Sequence, residues 1–206
     1  MANAALTLPD GFRALPGHLD AAAQRALLAE VRAVLSEAPL YRPVMPRSGR
    51  PLSARMSNAG LLGWTTDIEG YRYRPDHPET GLPWPPVPPL LLGLWARLAP
   101  WPDPPQCCLI NHYQGAARLG LHRDQDEAAS AAPILNVSLG DDALFRLGGP
   151  ERRDPTRAFR VTSGTVMVFA GPARQAFHGL DRIYPGTSGL LEEGGRISLT
   201  LRRVTP

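Results

Sequence analysis

His122 and Asp124 stand two residues apart, and His178 follows far downstream. On an extended segment a spacing of two puts both side chains on one face, about 6.6 Å apart along the backbone, from where they can converge on one ion. A third ligand can come from any other strand of a β-rich domain, so its distance in sequence is free. Two histidines and one carboxylate on one side of an octahedron leave the opposite side open for substrate and dioxygen, a donor set suited to non-haem Fe(II). A His-x-Asp pair alone is also a common surface feature. Its meaning changes with the segment Arg196-Ile-Ser-Leu-Thr-Leu-Arg202, which alternates strictly: Ile197, Leu199 and Leu201 share one face, and Arg196, Ser198, Thr200 and Arg202 the other. A half-exposed strand would present that polar face to water. Turned inward, the same face offers guanidinium groups whose planar forks suit a small dicarboxylate. Asn111 and Tyr113, also two apart, add neutral hydrogen-bonding groups from a neighbouring strand. His-x-Asp, then His, then Arg-x5-Arg, in that order on a β-rich half, is far more specific than any part.

The elements that must position these residues show in the pattern of apolar side chains. Residues 20–37 read as a helix, with Asp20 as N-cap and Leu27, Leu28, Val31, Val34 and Leu35 on one face. A second helix is expected over about 88–98, opened by Pro88-Pro89 and carrying Leu91, Leu92, Leu94, Trp95 and Leu98. Residues 40–87 hold many Pro, Gly, Arg and aromatic residues without sustained periodicity, the texture of a functional lid or of short unresolved strands. From about 106 onward short apolar runs bounded by Gly, Asp or Pro predict strands over 107–113, 118–122, 134–139, 143–147, 166–169 and 196–204. No helix-period segment interrupts them, so the expected fold is mainly β (α+β), a sandwich or jelly roll with the N-terminal half packed against it. The organisation expected is one integrated domain, with N-terminal helices and a lid over 1–105 and a jelly-roll core over 106–206.

With 206 residues, 43% hydrophobic and 20% charged, the chain can bury one sizeable core. All 22 basic residues are Arg, there are 23 Pro, and the net charge of +3 is compatible with nucleic acid without predicting it. No apolar run reaches about 18 residues, so no membrane-spanning helix is expected. The opening MANAALTLPDGFR lacks a basic segment followed by an apolar one, so no signal peptide is expected. Adjacent Cys107 and Cys108 cannot staple a fold in the usual way. They read as small apolar strand residues in a reducing cytoplasm.

The segments Asn111-x-Tyr113, Leu121-His122-Arg-Asp124-Gln-Asp126-Glu127, Asn136-Val-Ser138-Leu139-Gly140, Phe177-His178-Gly179 and Arg196-x-Ser-Leu-Thr200-x-Arg202 together resemble the AlkB family of oxidative DNA- and RNA-dealkylation enzymes. Upstream, Met56-Ser-Asn58-x-Gly60-x-x-Gly63-Trp64-Thr65-Thr66, Gly70-Tyr71-x-Tyr73 and Pro83-Trp84-Pro85 resemble the bacterial AlkB group in particular. The likeness runs from about residue 40 to 203.

The resemblance implies a double-stranded β-helix core and a set of roles. His122, Asp124 and His178 match the iron ligands. Arg196 matches the arginine that pairs with the distal carboxylate of 2-oxoglutarate, and Arg202, Asn111 and Tyr113 match other contacts to that cosubstrate. Trp64 matches an aromatic that stacks on the flipped base, Asp126 a carboxylate near the base's exocyclic amine, Tyr71 and Arg152 nucleotide contacts, and Met56 a pocket wall. The final motif usually carries Asn where this chain has Ser198, so one hydrogen bond to the cosubstrate is lost or water-mediated. The implied activity is oxidative demethylation of 1-methyladenine or 3-methylcytosine in single- or double-stranded DNA, and in RNA. The implied cofactor is Fe(II), with 2-oxoglutarate and O2 as cosubstrates and formaldehyde, succinate and carbon dioxide as products. The expected protein is a cytoplasmic monomer with no membrane partner. Alternatives are the same chemistry on a protein or small molecule, and a non-catalytic jelly-roll binding module.

Overall fold

The computed structural model describes residues 8–206, so the reading of the first thirteen residues lies partly outside them. Along the chain come β1 (Phe12–Leu15), α1 (Ala21–Glu37), β2 (Arg55–Gly60), β3 (Gly63–Asp67), β4 (Gly70–Arg74), α2 (Pro89–Leu98), β5 (Cys107–Tyr113) and β6 (Leu119–His122). They are followed by β7 (Ile134–Gly140), β8 (Asp142–Leu147), β9 (Arg157–Val161), β10 (Val166–Phe169), a 3-10 turn (Gly171–Gln175), β11 (His178–Tyr184) and β12 (Arg196–Arg202).

Two antiparallel sheets face one another as a jelly roll. The major sheet has the order β1-β10-β7-β12-β5-β2 and the minor sheet β6-β11-β8-β9, while β3 and β4 form a separate hairpin. Two strands from before residue 106, β1 and β2, complete the edges of the major sheet.

The helices form where local chemistry directs them. Asp20 Oδ1 accepts from the Ala23 N–H at 2.8 Å, capping an otherwise unpaired donor at the start of α1. Proline stands in the first turn of α2, where its missing N–H costs nothing. Leu27, Leu28, Val31 and Val34 of α1 and Leu91, Leu94 and Trp95 of α2 pack on the face of the major sheet that carries Ile110, Leu135, Val137, Ile197, Leu199 and Leu201. Each such Leu or Val contributes roughly 1.5–3 kcal/mol by leaving water.

With that face covered by helices, the alternate residues of β12 turn toward the minor sheet. Arg196 is 1% exposed and Arg202 5%, so the polar face of β12 is interior and the half-exposed strand is excluded. A second apolar cluster, including Ile134, Phe145, Leu147, Met167 and Phe169, closes part of the space between the sheets.

Several elements have no counterpart in the expected strands: β1, β2, the β3–β4 hairpin, β9 and β11. The irregular stretch over 40–87 thus contains an edge strand and a hairpin. β11 reads poorly because its pairing with β8 shifts register between Leu180 and Arg182, which breaks the alternation. β12 ends at Arg202, two residues earlier than its apolar pattern predicts.

Candidate metal centre and the cavity around it

His122 is the last residue of β6 and His178 the first of β11, and the two are direct partners in the antiparallel register. Their ring centroids lie 4.4 Å apart. Asp124 sits just past the end of β6, in irregular chain that lets its carboxylate turn back toward both rings. His122 Nε2 is 3.8 Å from Asp124 Oδ1, and His178 Nε2 is 3.8 Å from Asp124 Oδ2. One ligand atom from each residue lies within 4.8 Å of the others.

The backbone selects the tautomer of both histidines. His122 Nδ1 is 3.0 Å from the Gly120 carbonyl and His178 Nδ1 is 3.1 Å from that of Ala176. A carbonyl only accepts, so each Nδ1 carries the proton and each Nε2 is left with a lone pair facing Asp124, the arrangement a metal-binding imidazole requires. Burial, with His122 close by, pushes His178 down to about 4, so its ring is neutral near pH 7. Burial alone would raise the Asp124 carboxyl, but Arg202, the two histidines and Arg174 together hold it well below the usual carboxylate range.

A buried charge network backs Asp124. Arg202 Nη2 donates to Asp124 Oδ1 at 2.8 Å, while its Nε lies 3.4 Å from Glu127 Oε1. Glu127 also accepts from the Tyr73 hydroxyl at 2.5 Å and from Arg174 Nη2 at 3.3 Å. Arg174 in turn donates to the carbonyls of Ala132 and Asp124. Glu127 and Arg174 are functional residues that the sequence does not point to, and Tyr73 enters the network through its hydroxyl rather than as a lid aromatic. Glu127 and Tyr73 fall inside motifs quoted above, whereas Arg174 lies in a 3-10 turn with no pattern to betray it.

Arg196 is different: among the described residues it makes no ion pair. Its Nη1 donates to the carbonyls of Asp141 (3.1 Å) and Val161 (3.3 Å), its Nη2 to Ser138 Oγ, and its Nε finds no partner among the described residues. Burial lowers it to about 10, against the opposing pull of Tyr113 and Asp142, so it stays charged at neutral pH. Asn111 Oδ1 is likewise buried and without a partner among the described residues. The carboxylate of Asp141 fixes the chain around Arg196 by accepting from the N–H groups of Thr187, Ser188 and Gly195. Gly195 has φ +90°, and a Cβ there would meet the Tyr113 carbonyl at 2.6 Å, so only glycine permits this close approach beside Arg196.

All of the residues singled out in the sequence line one cavity of about 620 Å³: the triad, the cosubstrate set Asn111, Tyr113, Arg196, Ser198 and Arg202, and the base set Met56, Trp64, Tyr71, Asp126 and Arg152. The hairpin delivers the aromatics to its mouth. Trp64 of β3 stacks on Tyr71 of β4 with centroids 5.4 Å apart and planes 22° from parallel, and the Trp64 indole N–H donates to Asp126 Oδ2 at 2.8 Å. Met56 is buried on β2 opposite Asn111. Arg152 reaches the rim, donating to the Leu121 carbonyl at 2.9 Å with its guanidinium carbon 5.8 Å from the centre of the Phe177 ring.

Residues 11–202 match the model of the 2OG-Fe(II) oxygenase superfamily. The chain is 54% identical over 200 residues to the alpha-ketoglutarate-dependent dioxygenase AlkB homolog of Caulobacter vibrioides, covering 96% of this chain and 90% of that protein. It is 39% identical over 185 residues to alpha-ketoglutarate-dependent dioxygenase AlkB of Escherichia coli, covering 88% and 85%. The chain belongs to the AlkB family. As such it is a 2-oxoglutarate-dependent dioxygenase that uses Fe(II) and O2. The solved structure of OsALKBH1 superposes with a TM-score of 0.78 at 28% identity, covering 96% of this chain and all of that one, in keeping with the jelly-roll core. Over a shorter stretch, 81 residues or 39% of this chain, it is 33% identical to the human nucleic acid dioxygenase ALKBH1.

The residues present fit the cofactors this family uses. The paired imidazole Nε2 atoms and the Asp124 carboxylate are a facial donor set for Fe(II). A buried guanidinium that has no carboxylate partner, and no partner for its Nε, among the described residues calls for an anion, because an uncompensated buried charge is costly.

Proposed function

We propose that this AlkB-family chain removes methyl groups from 1-methyladenine and 3-methylcytosine in DNA, single- or double-stranded, and in RNA. His122, Asp124 and His178 hold the iron in this reading. Arg196 takes the distal carboxylate of 2-oxoglutarate, and Asn111, Tyr113, Ser198 and Arg202 contact the rest of it. Bound iron supplies the oxidising chemistry, in which the N-methyl group leaves as formaldehyde while 2-oxoglutarate and O2 become succinate and carbon dioxide. The protein's own work is to orient: Arg202 and the backbone carbonyls of Gly120 and Ala176 keep the three ligands aimed at one point.

The observation that carries the reading is the pairing of Trp64 with Asp126 at the mouth of the cavity that holds the triad. Chemistry on a base requires it to leave the stack, at a cost of a few kcal/mol that is smallest for a base that pairs poorly. An aromatic platform returns on the order of 1–3 kcal/mol by stacking, whatever the base. Methylation at these ring nitrogens leaves the base cationic, so the Asp126 carboxylate favours it over its neutral parent by charge. Arg152 and Arg123 beside Phe177 at the rim suit the phosphates of the flanking strand. The free, buried Cys107 and Cys108 support a reducing cytoplasmic setting, and a site built within one chain supports a monomer. Among the described residues no helix is long and apolar enough to cross a membrane.

The test is incubation with Fe(II), ascorbate, 2-oxoglutarate and a single-stranded oligonucleotide bearing 3-methylcytosine, followed by mass spectrometry. Loss of one methylene's mass with matching succinate is expected. Succinate without demethylation would move the activity to a protein or small-molecule substrate, and neither product would leave only a binding module.

A further inference from the structure

The register of β7 against β12 sets Ser138 beside Ser198, Asn136 beside Thr200 and Ile134 beside Arg202. Asn136 therefore lies on the cavity wall between the rows that carry Arg196 and Arg202. It is 8% exposed, and its amide Nδ2 lies 2.8 Å from Ser198 Oγ and 2.9 Å from Thr200 Oγ1, while Oδ1 finds no partner among the described residues. Buried amides are as a rule paired at both ends. Nitrogen and oxygen of a carboxamide are assigned from their surroundings, and a hydroxyl serves equally as donor or acceptor. With Nδ2 toward the hydroxyls, the Ser198 and Thr200 protons have no acceptor among the described residues. Turned over, Oδ1 accepts from both hydroxyls, and the free end of the amide becomes an N–H donor on a wall that already presents two guanidinium groups.

We propose that Asn136 is a cosubstrate-binding residue. The Ser198 and Thr200 hydroxyls hold its amide oxygen, and its Nδ2 donates to an oxygen of 2-oxoglutarate. The carboxamide that AlkB-like sequences usually carry at the position of Ser198 is thereby supplied from the next strand, β7, and the shortness of Ser198 makes room for it. The inference rests on the cosubstrate reading given above.

Calorimetric titration of 2-oxoglutarate into the protein loaded with Mn(II), without turnover, tests it. Asn136→Ser should weaken binding about tenfold, the loss of a hydrogen bond to a charged group. Asn136→Asp should weaken it further, because a carboxylate of the same shape still accepts from both hydroxyls but has no N–H and repels the cosubstrate. The double variant Asn136→Ser/Ser198→Asn should regain most of the affinity. Melting of each variant without 2-oxoglutarate separates binding from bracing. Undiminished affinity in Asn136→Ser, or a lowered melting temperature with unchanged affinity, would overturn the assignment. Should Asn136→Asp fail to fold, the serine variant and the double swap carry the test. If the wild-type protein binds no 2-oxoglutarate, the cosubstrate reading itself falls and this inference with it.

Discussion

Arg196 shows what a single residue contributes when its surroundings leave its charge unanswered. Three of its contacts are neutral oxygens, and no carboxylate among the described residues pairs with it. Holding such a cation in the interior costs stability, which a bound dicarboxylate would offset. Arg196→Met is therefore expected to lose 2-oxoglutarate affinity by about a hundredfold, the scale of a charge-assisted bond. Stability without ligand should change by less than about 2 kcal/mol, because the lost hydrogen bonds and the relieved burial of charge oppose one another. Calorimetry and thermal melting read the two effects separately. Unchanged affinity would remove Arg196 from the cosubstrate site. Arg202 is the contrasting case, since Asp124, Tyr73 and Glu127 surround it and keep it fully protonated despite its burial.

At the scale of elements, the β3–β4 hairpin carries the aromatic mouth, and Tyr73 ties it to the metal-side network through Glu127. Tyr73→Phe deletes that tie and keeps the ring. It is expected to lower unfolding free energy by about 1.5–3 kcal/mol, as for a hydrogen bond to a charged group. It should also raise KM for a methylated oligonucleotide while leaving KM for 2-oxoglutarate unchanged, since the hairpin supplies no cosubstrate contact. Urea titration and steady-state kinetics check this; a parallel rise in both KM values would show instead that the network as a whole had collapsed.

The same elements explain what was legible in the sequence. β12 could be read because its strict alternation survives into the structure, with Leu199 against the helices and Arg196 in the cavity. α1 could be read because its cap and its stripe are both local. β9, Arg-Ala-Phe-Arg-Val, and β11, His-Gly-Leu-Asp-Arg-Ile-Tyr, were missed because their outer faces are polar and β11 carries a bulge. No local pattern marks Arg174, whose partners Asp124, Glu127 and Ala132 lie more than forty residues away. The His122 and Asp124 side chains converge although Asp124 lies beyond the strand, because the convergence comes from the turn of the chain and not from the pleat.

For the whole molecule, two sheets and two helices make an apolar layer on one side of the major sheet and a polar, charge-bearing layer on the other. Cys107 and Cys108 open β5, between β12 and the edge strand β2, with no exposure. Burial pushes the Cys107 thiol up to about 11 and the Cys108 thiol well above its ordinary value of 9.0. A thiol raised on folding contributes stability that is fully present below the unfolded value and is lost as pH rises through the folded one. The midpoint of urea unfolding should therefore stay level up to about pH 8 and fall between about pH 9 and 11. Thiol reagents should label neither cysteine at pH 8 until the protein unfolds. Rapid labelling of the native state would contradict the burial of β5.

In the function proposed, His122, Asp124 and His178 hold one iron beside the Arg196 wall. Anaerobic titration of Fe(II) into the wild-type protein and into Asp124→Ala tests it most directly. One Fe(II) per chain is predicted for the wild type, bound more tightly when 2-oxoglutarate is present, with that site lost in Asp124→Ala although the variant remains folded by circular dichroism. Binding by the variant with wild-type stoichiometry and affinity would place the iron elsewhere.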